Sequence, residues 1–563
     1  MTTLGTAATF KRDWVDGYVT AYGRHVRKVP GAYGVVGRHV PRQGKVAVVI
    51  GGGCGHYPAF AGLVGPGLAD AAVVGDVFTS PSAEQVYRTA RAADGGAGVL
   101  FGYGNYQGDV LHFGLAARRL AAEGIDSRTI LVTDDVASGP AGDTARRRGV
   151  AGDFLVFKIA GAAAERGDDL DGVYAAAMRA NAAVRTFGVA FGGCTLPGAD
   201  APLFTVDGDK MELGLGIHGE PGVRTVGRLD ATALADELVD GLLPELPGQG
   251  RVAVLVNGLG RTKYEEMFTA YGRIHSRLGA AGLEVVDTQV GEFVTSLDMA
   301  GMSLSVMVLD DELAGLYAAP CDSPGYRSTG AVLAPVALES TVDDTLARPD
   351  GPAGPRLVDR ALTAALEVIE ANEDELGRLD AVAADGDHGL GMTRGMRAAV
   401  AAARSAEAGD TVPGGLLAAG TAFADAAGGA SGALYGVLLA ETGAGLRDGI
   451  TAQSLTAAVD GAVAAFVELG GAQPGDKTML DAIGPFADTL RDQVTAGADP
   501  AAAWTAAAER ATAAAAATAD LLPARGRAAR LARRSLGHPD PGATSFALLV
   551  TAVAAALNEK ETV

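Results

Sequence analysis

The chain has 563 residues, 48% of them hydrophobic and 20% charged, with a formal net charge of −21. That length exceeds a single core and implies roughly two to four globular domains, not a disordered chain. The negative balance disfavours nucleic acid and anionic membrane as partners, because both reward a basic surface.

The N-terminus, MTTLGTAATFKRDW, lacks the apolar segment of a secretion signal, and apolar runs such as 545–557 are short for a bilayer span. The expectation is a cytoplasmic protein. Its three cysteines, Cys54, Cys194 and Cys321, are too few and too scattered for a disulfide framework or a zinc site.

Residues 1–336 read as α/β. Apolar runs at 46–50, 71–74, 98–102, 129–136 and 155–161 lead into glycine or acidic turns, and Ala-rich helical stretches at 83–95, 114–123 and 173–184 separate several of them. A second set of runs at 251–260, 283–291 and 304–310 predicts a second α/β lobe.

Three glycine-rich loops carry polar residues. In VVIGGGCGHYPAF (48–60) a strand runs into a glycine turn. A dinucleotide fingerprint would open directly into a helix, and here His56-Tyr57-Pro58 intervenes. Bare backbone at a strand end lets a small ligand approach closely, and His56 at the exit is placed to act as a base. Asp109 closes GNYQGD (104–109), and His218 lies within MELGLGIHGEPG (211–222). A single buried histidine is more often structural. Two histidines and an aspartate in separate glycine-flanked loops point to a hydrogen-bonding pocket for a small polyol or ketose.

Residues 337–356 are polar, hold three prolines and show no period, which predicts a linker. From 357 to 563 strand signals almost vanish, and Ala-, Leu- and Glu-rich helices alternate with glycine breaks, so the second domain is predicted to be all-α. Its loops carry Asp380, Asp385 and Asp387 within eight residues. Such a cluster repels itself unless a hard cation neutralises it, and Mg²⁺ held for phosphoryl transfer from a nucleotide is the chemistry that fits. The alternative is a solvated acidic turn. GGASG (428–432) and GDKTM (475–479) expose N–H groups and hydroxyls suited to phosphate. GGASG by itself fits a tight helix crossing equally well.

Taken in order, the segments at 51–82, 105–117, 157–165, 194–198, 211–222 and 293–313, then those at 379–395, 428–436, 471–482 and 526–545, resemble the dihydroxyacetone kinase family over nearly the whole chain. The resemblance implies a two-lobed α/β substrate domain (1–336), a linker (337–356) and an antiparallel helical-barrel nucleotide domain (357–563). It implies an ATP-dependent kinase that holds a short ketose as a covalent hemiaminal on His218, with His56 and Asp109 acting around the phosphorylated hydroxyl. Substrate contacts would come from Gly53, Cys54, Gly55, His56, Gly104 and Asp109. Two Mg²⁺ ions would sit on Asp380, Asp385 and Asp387. ATP would meet His388, Gly389, Leu390, Gly391, Ala430, Ser431, Gly471, Thr478, Arg527, Asp540, Pro541 and Gly542. With both domains in one chain, ATP is the implied donor, in place of the phosphotransfer protein of split members. A homodimer is implied as well.

The chain departs from the family pattern at four positions. Gly104 stands where a lysine is usual, Cys54 where a serine, Tyr57 where a glutamate and Phe60 where a histidine. Losing a lysine is expected to open the substrate pocket, and an added aromatic to wall it. This favours a four-carbon ketose such as erythrulose, D or L, over dihydroxyacetone. Dihydroxyacetone kinase and a non-catalytic ketose-binding regulator are the alternatives.

Overall fold

The computed structural model describes residues 5–6, 8–330, 354–382, 384–405, 410–524 and 534–558. Its contacts divide the chain into two compact units, 1–338 and 339–563. Residues 337–353 of the expected linker lie outside the described residues. A helix begins at Pro355, inside the last residues of that stretch, because proline at the first helical position is already set at a helical φ.

The first unit opens with α1 (Phe10–Ala21), β1 (Val26–Lys28), β2 (Gly34–Gly37), β3 (Ala47–Cys54), β4 (Ala71–Val77), α2 (Ala83–Ala93), β5 (Val99–Gly104), α3 (Gln107–Ala122) and β6 (Ser127–Val132). The strands form one six-stranded sheet in the order β1-β2-β4-β3-β5-β6. Strands β4, β3, β5 and β6 run parallel, and β2 joins β4 antiparallel. Ligands in such sheets bind beyond the carboxyl ends of the parallel strands. Gly53 and Cys54 end β3 at that edge and Gly55 and His56 follow it, while Asn105 to Asp109 follow β5.

Next come α4 (Gly152–Arg166), α5 (Leu170–Ala183), β7 (Val184–Ala190), β8 (Lys210–Leu213), β9 (Arg224–Gly227), α6 (Ala231–Leu242), β10 (Gly250–Gly258), α7 (Tyr264–Ala280), β11 (Leu283–Gly291), β12 (Gly301–Leu309) and α8 (Asp311–Ala318). The second sheet runs β11-β10-β12-β7-β8-β9, with only β10 and β11 parallel. Its β8 delivers the chain into the loop that carries His218. The expected strand at 155–161 is instead the middle of α4. Every residue from Gly152 to Ala164 is buried, Asp153 and Lys158 included, so the helix lacks the exposed polar face that gives a 3.6-residue period.

The second unit is helical: α9 (Pro355–Ala371), α10 (Glu373–Ala381), α11 (His388–Ala403), α12 (Val412–Ala427), α13 (Gly429–Gly445), α14 (Ala452–Gly470), α15 (Leu480–Thr495), α16 (Pro500–Ala517) and α17 (Pro541–Asn558). Successive helices from α11 to α17 pack side by side, α17 packs on α9, and α9 on α11, which closes a barrel. Helix α17 is longer than the apolar run at 545–557. Over its 18 residues it meets the length and hydropathy of a membrane span, because Pro541 to Thr544 extend it. Its Phe546, Val550 and Ala554 nevertheless belong to the core of this unit.

Candidate active site

In the first unit, the end of β3 and the turn after it each need a glycine. A Cβ on Gly53 would lie 2.6 Å from the Thr79 nitrogen, and Gly55 takes φ +107° with Phe78 Cε1 2.8 Å from its would-be Cβ. The loop thereby lies directly on Phe78, itself held at φ +54°, a costly backbone for a bulky residue. Phe78 stacks on His56 with ring centroids 5.0 Å apart and meets His218 edge-on at 5.2 Å. Tyr106 approaches the other side of His218 at 4.7 Å.

The two histidines meet nitrogen to nitrogen. His56 is 2% exposed, its Nδ1 is 2.7 Å from the Thr295 carbonyl oxygen, and its Nε2 is 3.0 Å from Nε2 of His218. Burial, reinforced by the charge of His218, lowers the His56 imidazole to about 3. On its far side His218 Nδ1 is 3.0 Å from Oε1 of Glu220, while the His218 backbone N–H donates to Oε2 at 3.0 Å. Burial raises the Glu220 carboxyl, but the hydrogen bond and charge of His218, with help from Arg148, prevail and hold it near 2. Arg148 Nη1 lies 3.8 Å from Glu220 and is anchored by Asp135 at 2.7 Å.

Asp109, in the first turn of α3, is 6% exposed, and its Oδ1 has no hydrogen-bond partner. Burial pushes its carboxyl up to about 6, against the Ser80 hydroxyl and the charge of His218. Asp153, 2% exposed, also has an unpartnered Oδ1, and burial with Asp134 and Asp109 nearby drives it well above the carboxylate range. Both oxygens keep hydrogen-bonding capacity that the protein itself does not use.

The pocket departures fall differently from the expectation. Cys54, Tyr57 and Phe60 line a cavity of about 230 Å³ with Trp14, Gly53 and Glu292, on a lining that includes neither His56, Asp109 nor His218. Tyr57 packs edge-on against Trp14 and Tyr18 of α1, where the apolar surface of the helix draws it. Nor does Gly104 leave a void. A Cβ there would lie 3.0 Å from Tyr106 Cε2 and 3.1 Å from the Gly149 oxygen, so Tyr106 and Gly149 take the space.

In the second unit, Asp380 ends α10, and Asp385 and Asp387 follow on the loop before α11. Their ligand atoms lie within 4.8 Å of one another. Asp380 Oδ2 accepts from the Gly386 N–H at 2.9 Å, which folds the loop back on the helix end. The cluster opens on a cavity of about 510 Å³ also lined by His388, Gly391, Ala430, Ser431, Thr478, Asp540, Pro541 and Gly542. Four stretches of the chain, 380–391, 430–431, 478 and 540–542, thus meet at one cavity. His388 Nε2 bonds Ser545 Oγ at 2.9 Å, which in turn meets Tyr435, so this histidine also pins α11 to α13 and α17. Burial pushes the Asp540 carboxyl up to about 6, and its Oδ1 caps α17 through the Ala543 N–H.

Four expected nucleotide residues stand apart. Gly389 is a packing position, because its Cβ would lie 2.0 Å from the Glu373 oxygen. Leu390 is exposed. Gly471 is the left-handed cap of α14, and its neighbours Gly470 and Ala472 line the cavity in its place. Arg527 lies outside the described residues. In GGASG, Gly432 lets α13 cross α12 closely, as Gly436 does one turn further on, and Ala430 and Ser431 line the cavity. Lys477 of GDKTM lines the cavity but donates to the Ser535 and Leu521 carbonyls at 2.6 and 3.1 Å. Sequence reasoning passed over Thr295, Phe78, Ser80 and Glu220. Of these only Glu220 carried a signal, two residues from His218 within the same motif.

Residues 16–325 match the Dak1 domain and residues 382–555 the DAK2 domain. The chain is 53% identical to a D-erythrulose kinase of Mycolicibacterium smegmatis, over 97% of both chains. It is 50% identical to an L-erythrulose 1-kinase of the same organism, over 98% of both. The crystal structure of the dihydroxyacetone kinase from C. freundii in complex with AMP-PNP and Mg²⁺ superposes with a TM-score of 0.63 at 29% identity, covering 99% of each chain.

Proposed function

The chain belongs to the dihydroxyacetone kinase family, and from that premise we propose that it is an ATP-dependent kinase acting on a terminal hydroxyl of a short ketose, erythrulose before dihydroxyacetone, held as a hemiaminal on His218. The observation that carries this reading is the 3.0 Å approach of the His56 and His218 Nε2 atoms with Asp109 buried nearby. A nitrogen nucleophile selects a ketone, because a plain polyol such as glycerol offers no electrophilic carbon. Asp109, with a carboxyl near 6, exchanges a proton close to neutral pH and serves as the base for the reacting hydroxyl, with His56 as relay.

Asp380, Asp385 and Asp387 present an all-oxygen donor set suited to a hard cation, and the two that are exposed leave room for phosphate oxygens. We place Mg²⁺, as two ions, on these carboxylates, with ATP in the adjoining cavity. Bound there, Mg²⁺ neutralises charge on the transferring phosphoryl group. The chain's own part is positional: Asp380 fixes the loop through Gly386, and Ala430, Ser431 and Thr478 line the phosphate side.

Preference for erythrulose is supported by high identity to two kinases named for its opposite enantiomers. A homodimer is our proposal for its assembly, on the family resemblance, and the cytoplasm for its location, on the sequence reading above. An ATP-coupled assay over D-erythrulose, L-erythrulose, dihydroxyacetone and glycerol tests the function. Turnover of a tetrulose above dihydroxyacetone, with glycerol inert, is expected. Ketose binding without turnover would make the chain a regulator instead.

A further inference from the structure

We infer that Glu220 is a positioning residue that makes His218 a nucleophile, by holding hydrogen on Nδ1 and balancing the positive charge that the histidine pair holds before and after attack. The inference rests on the covalent-capture reading above and adds to it the group that sets the tautomer.

The argument is a proton count. The Thr295 carbonyl can only accept, so His56 carries its hydrogen on Nδ1. A neutral His56 then presents a lone pair at Nε2. The Glu220 carboxylate can only accept as well, so His218 carries a hydrogen on its own Nδ1. Two Nε2 atoms 3.0 Å apart with a lone pair on each would repel, so one further proton lies between them. The two rings together hold one positive charge, and the carboxylate beside them holds the opposite one.

Capture of a ketone is then balanced without any other reagent. His218 Nε2 bonds to the carbonyl carbon, and the π pair of C=O moves to oxygen. The proton shared by the Nε2 atoms passes through His56 to that oxygen and becomes the hemiaminal hydroxyl. His218 keeps its Nδ1 hydrogen, so the alkylated ring carries the charge that the pair carried before. Glu220 faces one positive charge before and after. His56 is left with a bare Nε2, free to act as the relay between the phosphorylated hydroxyl and Asp109.

Without Glu220 nothing favours hydrogen on Nδ1, and the competing tautomer puts it on Nε2, where the nucleophile must be. A histidine held in the wrong tautomer loses several powers of ten in an analogous acyl-transfer triad. Arg148, tied to Asp135, keeps the carboxylate in place. Glu220 bonds both the ring and the backbone N–H of His218, so it fixes the ring's position relative to its own main chain.

The test begins with the unaltered enzyme free of substrate. Long-range ¹H–¹⁵N spectra should show His218 protonated at Nδ1 and in contact with a carboxylate. Glu220→Gln, which keeps an acceptor oxygen, and Glu220→Leu, which does not, are compared with it. Expected are a loss of the Nδ1–H signature in Glu220→Leu and a ketose kcat/KM lowered by about 100- to 10,000-fold. Glu220→Gln should fall between, and nucleotide affinity should be unchanged in both. A His218 in the parent enzyme that carries its hydrogen on Nε2 alone overturns the assignment even if the variants do not fold. So does full adduct formation by Glu220→Leu with ¹³C-labelled ketose. Absence of any adduct in the parent, with Nδ1 protonated, instead sinks the covalent reading and leaves the tautomer assignment standing.

Discussion

The ring of Tyr106 stands over Gly104, where a Cβ would come within 3.0 Å of its Cε2 atom. The same ring meets His218 at 4.7 Å, and its hydroxyl donates to the Gly149 carbonyl at 3.0 Å. The glycine is thus tied to His218 through one aromatic side chain.

A Gly104→Lys variant should therefore act by displacing Tyr106. We expect kcat/KM for the tetruloses to fall by about 10- to 200-fold, the range of small pocket differences, with a smaller loss for dihydroxyacetone. Steady-state kinetics on both enantiomers of erythrulose, on dihydroxyacetone and on glycerol would check this. A parent enzyme that prefers dihydroxyacetone tenfold over both tetruloses would refute the four-carbon assignment.

His218→Ala should abolish ketose phosphorylation and leave nucleotide binding intact, since the ketose loop and the nucleotide cavity belong to separate units. Intact-protein mass spectrometry and direct electron density at Nε2 would detect the adduct in the parent. Full activity in the alanine variant would remove covalent capture from the mechanism.

Asp385→Asn and Asp387→Asn should each lower kcat by orders of magnitude, because each takes a charge from the proposed Mg²⁺ site that would offset the transferring phosphoryl group. Added Mg²⁺ should restore only part of the rate. Near-parental kcat in either variant at ordinary Mg²⁺ would mean that these carboxylates hold no metal.

The Asp109 carboxyl, raised by burial to about 6, gives a pH prediction with a defined sign. Between about pH 4 and 6 the folded chain holds a proton that the unfolded chain has released, so this group's contribution to stability falls as pH rises through that window. At neutral pH the buried charge costs on the order of 2–3 kcal/mol. Asp109→Asn should accordingly stabilise the first unit at pH 7, with the gain vanishing below about pH 4, while activity drops. Paired thermal melts across this range decide it. A variant less stable than the parent at pH 7 would show that Asp109 has a partner for its charge.

Much of the architecture was legible because local patterns suffice for it. The strands β3, β4, β5, β10, β11 and β12 announce themselves as apolar runs closed by turns, and the helical character of the second unit shows in its composition, though not its division into helices. Helix α4 was not legible, because total burial erases helical periodicity. Strands β8 and β9 were missed as well, since they are short, partly exposed and defined by their pairing with each other.

The site divides in the same way. Glycine-flanked His56, Asp109 and His218 and the three aspartates near 385 stand out in the sequence because each loop advertises its own chemistry. What the sequence cannot carry is the distance between residues far apart in the chain. Thr295 reaches His56 across 239 positions, and His218 reaches it across 162. The fold decided that the space at Gly104 belongs to Tyr106, and that Cys54, Tyr57 and Phe60 line a cavity apart from the histidines. Side-chain identity is a local property, whereas orientation and proton position are set by packing between segments, and only the tertiary structure holds that information.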